Sequence, residues 1–268
     1  MNEDLPSQNQ PLEQEWQAPP PPFDNTPPAE PAQMSEIRTL GSIFFEPGAT
    51  FEDLRRKPRF LLAGLITIVL FTAFNVLFIQ KVGFEEIVKA RINSSERAQQ
   101  MPAEQRQAII EQQSSPVVKT ISYIAGPIFI LIFFLVGSLI YWLGVKAMGG
   151  ETTFLRALSV WVYSSFPPSV VSMLANILVL FLKSTDDIDI TTAQSGLIKA
   201  SPAFFMDERN HKVLAAVLGT FDLFYIWGWI LAAIGLRIVG KISTGAAVAI
   251  VAFVALFNVA VRVLGAFF

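Results

Sequence analysis

The sequence predicts an all-α integral membrane protein, a five-transmembrane-helix bundle preceded by a disordered proline-rich tail. Three observations predict it. Hydrophobic residues make up 52% of the 268-residue chain and charged residues only 16%, a surplus of apolar side chains that a water-soluble domain of ordinary makeup does not carry. The apolar residues collect in five runs, about 60–79, 121–145, 157–182, 213–236 and 245–261, each close to or above the roughly 18 to 20 residues that cross a hydrocarbon core as a helix. The runs show no charged face at helical spacing, which a buried helix at the edge of a soluble bundle would show.

The elements follow in order. Residues 1–36 include "WQAPPPPFDNTPPAEPAQ", too poor in apolar side chains to offset the entropy of ordering, and are expected to be a disordered tail. The membrane domain then runs over 37–268. It opens on "FFEPGATFEDLRRKPRF", where Thr50 and Asp53 have capping-box spacing and Pro58 stops the helix. Phe51 and Leu54 share one face, and Arg55, Arg56, Lys57 and Arg59 cluster at the far end. This segment is expected to be an interfacial elbow that anchors the entry to the first span. A cleaved leader is not expected, because the first apolar run lies too deep in the chain.

Between the first two spans, the charged segment from Gly83 to Pro116 reads as one or two short helices on the membrane surface. "SSFPP" places Pro167 and Pro168 inside the third span; two backbone donors are lost, a bend is expected, and Ser164 and Ser165 can serve freed carbonyls. The loop after it contains "DDIDIT", without the turn glycine and distal glutamate of a calcium loop, and reads as a solvated acidic segment. Ala215 and Gly219, Gly228 and Ala232, and Gly245 and Ala249 have the small-xxx-small spacing that lets helices approach closely.

The basic cluster at Arg55–Arg59 predicts a cytoplasmic N-terminus, and five crossings then put the C-terminus outside. Lys146, Arg156, Arg237 and Lys241 fall inside on the same count.

Asp222 stands within the fourth run. Counted from the cytoplasmic ends of their runs, Asp222, Asn258 and Asn75 lie at about 21, 20 and 22 Å. A lone carboxylate in hydrocarbon costs at least about 2.5–3.5 kcal/mol, so Asp222 is expected to face inward and share hydrogen bonds with the two amides. The cluster reads as a clasp fixing helix register or, alternatively, as a relay.

No cysteine is present, so no disulfide and no thiolate chemistry is available. The single histidine, His211, leaves no multi-histidine metal site. No phosphate loop, zinc-helix motif or nucleophile elbow occurs, and an intramembrane aspartyl protease needs a second aspartate. Neither enzymatic activity nor a cofactor nor a metal is expected.

Together, "FFEPGATFEDLRRKP", "MPAEQRQAIIEQQ", "MGGETTFLRALSVWVYSSFPPSV" and "FDLFYIWGWILAAIGL" resemble the Yip (Ypt-interacting-protein) family in its bacterial branch, over about Leu40 to the end. The resemblance implies five membrane helices and a cytoplasmic N-terminus. Its eukaryotic members bind prenylated Rab-type GTPases and take part in vesicle traffic and membrane shaping; the tail here lacks their aromatic-glycine-proline motif. The resemblance supplies a fold, not a reaction.

The expected function is therefore that of a non-enzymatic scaffold or organiser of membrane proteins or lipids. The alternative is a small transporter or channel using Asp222, Asn75, Asn258 and the Pro167–Pro168 bend. The expected partners are the lipid bilayer and either other membrane proteins or further copies of the chain, with no nucleic acid.

Overall fold

The computed structural model describes residues 31–193, 196–206 and 211–265. Most of the proline-rich tail, residues 1–30, lies outside the described residues. Every regular element among the described residues is helical.

Two short helices come first, α1 (Glu36–Ser42) and α2 (Pro47–Arg56), followed by the first long one, α3 (Leu61–Val82). On the far side α4 (Phe84–Ser94), α5 (Glu96–Gln99) and α6 (Ala103–Gln113) fold over a cluster of Val88, Ile92, Ala98 and Ile110. This is three helices with a small core of their own, where one or two surface helices were expected. Lys89 bonds Glu86 and pairs with Glu85 there; those two carboxylates raise its pKa above the ordinary lysine value.

The chain returns through α7 (Pro116–Ala147) and α8 (Phe154–Leu182). At the helical rise, α7 is about 48 Å long, well beyond a hydrocarbon core of about 30 Å. Its buried residues, Phe134, Gly137, Ser138, Tyr141 and Val145, all lie in its second half. α8 is the hub, with α3, α7, α11 and α2 packed around it. A one-turn helix, α9 (Ile190–Ala193), and a 3-10 turn at Pro202–Phe205 lead to α10 (Lys212–Thr220), α11 (Leu223–Gly240) and α12 (Thr244–Gly265). Among the described residues five helices, α3, α7, α8, α11 and α12, are long and apolar enough to cross a membrane.

Glycines set how closely the spans approach. A Cβ at Gly137 of α7 would stand 2.1 Å from the Trp161 ring of α8, and one at Gly235 of α11 would stand 2.8 Å from Phe51 and Val160. Trp161 fills the gap edge-on to Tyr141, with ring centroids 4.7 Å apart. At the N-terminal-side ends of the spans, Gly150 meets the Gly240 carbonyl at 2.5 Å from its would-be Cβ, and Glu151 N–H donates to that carbonyl. Of the expected small-residue pairs, Gly228 is placed as predicted, its would-be Cβ 3.5 Å from the Ser164 carbonyl. Gly245 has only its neighbour Ser243 nearby and packs no second helix.

Three expectations are corrected. The fourth run is not one helix over 213–236 but two, α10 and α11, separated at Phe221 and Asp222. Pro167 and Pro168 stand buried inside α8 as expected, but Ser164 and Ser165 donate to the Trp161 carbonyl, not to the carbonyls that the prolines free. The segment at 47–56 is not a lipid-lying elbow. Its Phe51 and Leu54 are wholly buried against α8 and α11, and Thr50 sits in the second turn of α2, donating to the Glu46 carbonyl and hydrogen-bonded to Ser42 Oγ, while Glu46 takes the N-cap position.

A candidate polar site at the broken fourth span

Asp222 ends up at a helix start because a short acid there serves the backbone better than a helical turn would. Its Oδ1 accepts from Phe224 N–H at 2.9 Å, the N-cap bond of α11. Its Oδ2 accepts from Ala200 N–H at 3.0 Å, and Leu223 N–H donates back to the Ala200 carbonyl at 3.0 Å. Both carboxylate oxygens are thus spent on amides, one of them in a segment over twenty residues away.

That segment is held a second time by a residue the sequence reading passed over. Asn176 of α8 is 3% exposed. Its Oδ1 accepts from Leu197 N–H and from Ile198 N–H, the latter at 3.1 Å, and its Nδ2 donates to the Ser172 carbonyl at 2.7 Å. Gly196 approaches it with φ of 117°, a conformation open to glycine, and a Cβ there would stand 3.4 Å from Asn176 Oδ1. Asn176 lies about six residues, or about 9 Å, inside the end of α8 at Leu182. Irregular backbone at such depth survives only where its polar groups are satisfied by protein. Asn176 and Asp222 supply that satisfaction. Lys81 of α3 completes the far-side end by donating to the Leu180 and Lys183 carbonyls at the C-terminus of α8.

The two other members of the expected cluster do not join Asp222. Asn258 accepts from Arg262 Nε at 3.0 Å, and Arg262 Nη2 donates to the Tyr225 hydroxyl at 3.1 Å, its guanidinium 5.4 Å from that ring's centroid. Arg262 also lies beside the end of α10, 3.6 Å from a would-be Cβ on Gly219. Arg262 lies one position beyond the expected end of the fifth run. Asn75 is exposed on α3 and its side chain makes no hydrogen bond among the described residues. His211 is exposed at the N-cap of α10 and makes no side-chain cap bond.

A second polar centre lies at the opposite end. Asp53 is fully buried; Arg59, 9% exposed, pairs with its Oδ2 at 3.2 Å and donates to Thr39 Oγ1 at 2.8 Å. The Arg59–Asp53 approach is close enough for an ion pair but not aligned as a hydrogen bond to Oδ2. Asp53 Oδ1 accepts from the backbone of Gln33 and Met34. Of the four basic residues expected to act together, Arg59 is thus buried, Arg55 pairs with Glu52 at 2.9 Å, Arg56 is half-exposed and Lys57 is exposed.

A helical bundle with five apolar spans, whose polar side chains serve backbone and one another, defines a multi-spanning integral membrane protein. The chain matches the Yip1 domain over residues 41–264, and it belongs to that family. It is 30% identical over 209 residues to membrane protein YknW of Bacillus subtilis (strain 168), an alignment covering 78% of this chain and 81% of that protein. No solved structure matches it.

Proposed function

We propose that this Yip1-domain protein is a non-enzymatic scaffold or organiser of membrane proteins or lipids in a bacterial cytoplasmic membrane, with its N-terminus cytoplasmic and its C-terminus outside. The observation that carries this reading is the use made of Asp222. A relay acid needs a carboxyl free to exchange a proton or ligand along a path, and here both oxygens bind amides that hold the fold. What the molecule offers to its surroundings is apolar helix surface, with Phe129 and Phe133 of α7 and Phe253, Leu256 and Phe257 of α12 each more than half exposed. Such faces suit acyl chains or the helices of another membrane protein, including a second copy.

One observation favours transport as the second reading. The fourth span is interrupted, and discontinuous helices line substrate sites in many carriers. Cross-linking in the native membrane followed by mass spectrometry tests the first reading, which expects a reproducible membrane partner. Ion- or solute-flux measurements on liposomes carrying the wild type and Arg262→Gln test the second, because Arg262 is a cation beside the break. Flux in the wild type that Arg262→Gln abolishes, with no partner captured, would replace the scaffold reading.

A further inference from the structure

We propose that residues 36–56 form a re-entrant hairpin, whose turn at Ile43–Pro47 sits within the bilayer and presents Phe45 to lipid acyl chains on the N-terminal side. Two depth counts carry the proposal. Phe44 packs edge-on against Phe166 of α8 and Trp227 of α11, with ring centroids 6.0 and 6.2 Å apart. Arg156 on α8 and Arg237 on α11 mark the charged ends of those helices on that side, and Phe166 and Trp227 each lie about ten residues beyond them, or about 15 Å. That is near the middle of a core of about 30 Å. Phe51, further along α2, meets Val160 and Gly235, both much nearer the same charged ends. The hairpin thus runs inward along α1, turns beside Phe166, and returns along α2 to the basic residues 55–57.

Unpaired backbone is costly at that depth, and the turn pairs four of its amides internally. Phe44, Phe45 and Glu46 N–H groups donate to the carbonyls of Gly41 and Ser42, and Thr50 N–H donates to the Glu46 carbonyl. Thr50 Oγ1 bonds Ser42 Oγ at 2.9 Å across the two arms. The neck is locked by Asp53, Arg59 and Thr39, so its buried acid and base are paired where it leaves the bilayer. Glu46 stands at the N-terminus of α2, where the helix dipole offsets part of the cost of a carboxylate at depth. The α2 arm is covered by α8 and α11, whereas Phe45 is 88% exposed. An exposed aromatic ring at that level has hydrocarbon as its natural surrounding.

The chain has no cysteine, so Phe45→Cys and Lys57→Cys each give one labelling position in the full-length protein. Phe45 packs little, which makes its replacement a mild one. A nitroxide is attached at each position in liposomes of phosphatidylethanolamine and phosphatidylglycerol, and its collisions with oxygen and with a water-soluble nickel chelate are measured. The oxygen-to-nickel ratio at position 45 is expected to exceed that at position 57 by about an order of magnitude, as hydrocarbon exposure requires. Equal ratios would place the turn in water and overturn the proposal. Low collision rates with both reagents at position 45 would also overturn it, since the turn would then be covered by protein instead of lipid.

Discussion

The two ends of the bundle bury charge in opposite ways. At the N-terminal side Asp53 is met by another charge, Arg59, and by two backbone amides, with Thr39 completing the arginine's bonding. At the far side the described partners of Asp222 are amides, and a nearby cation, Arg262, bonds Asn258 and Tyr225. The difference follows from burial. Asp53 is wholly enclosed, where a carboxylate without a counter-charge is very costly, whereas Asp222 is half-buried at a helix N-terminus, where aligned amides and the dipole suffice. The first arrangement closes a hairpin on itself; the second ties a distant loop to a span.

Breaking the two centres should therefore cost different amounts. The largest effect is expected from Arg59→Ala, which strands the buried Asp53 charge and should lower stability by about 3–5 kcal/mol, read as a lowered unfolding temperature in micelles. Adding Asp53→Leu to it should recover much of that loss, because the double variant leaves no unpaired charge. Gly137→Val comes next. Its side chain would run into the Trp161 ring, and the overpacking should cost about 1–3 kcal/mol or prevent insertion, with altered indole fluorescence as the accompanying sign.

At the far side Asp222→Asn keeps one acceptor oxygen but turns an amide donor toward a second amide. It should lose the Ala200 bond and cost about 1–3 kcal/mol; Asn176→Ala should cost a similar amount by stranding the amides of Leu197 and Ile198. If Asp222→Asn proved as damaging as Arg59→Ala, the contrast between the two centres would fail. The smallest effect concerns Lys89, whose pKa is raised by Glu85 and Glu86 on an exposed helix. A pKa raised in the folded state stabilises below the unfolded value and is lost as pH rises through the folded one. The stability of α4 should be indifferent to pH from 7 to 9 and fall only above the ordinary lysine value of 10.5. Hydrogen exchange along α4 across that range checks it.

Much of this architecture was legible in the sequence. The five apolar runs have the length and composition that spans need, and each has a matching long helix. Gly228 was found by spacing alone. The break at Asp222 was hidden because averaging hydropathy over a run erases one acid, although "TFD" followed by apolar residues also carries an N-cap signal. Asn176 was open to the same depth argument that singled out Asn75 and Asn258, and it is the amide that came to matter for the backbone. Arg262 was lost to a boundary drawn one residue short. Gly137 and Gly235 could not be read at all, because their importance depends on which ring faces them, and no local pattern carries that. The packing of α2 was misread for a related reason: Phe51 and Leu54 form an apolar face whether the other side is lipid or protein.

The most direct test of the account is residue-resolved amide hydrogen exchange at Leu197, Ile198, Ala200 and Phe224, in wild type and in Asp222→Asn. The account predicts that all four amides are protected in the wild type and that Asp222→Asn exposes Ala200 while Leu197 and Ile198, held by Asn176, stay slow. Free exchange at Ala200 in the wild type would contradict it, for the carboxylate would then not be spent on holding the loop.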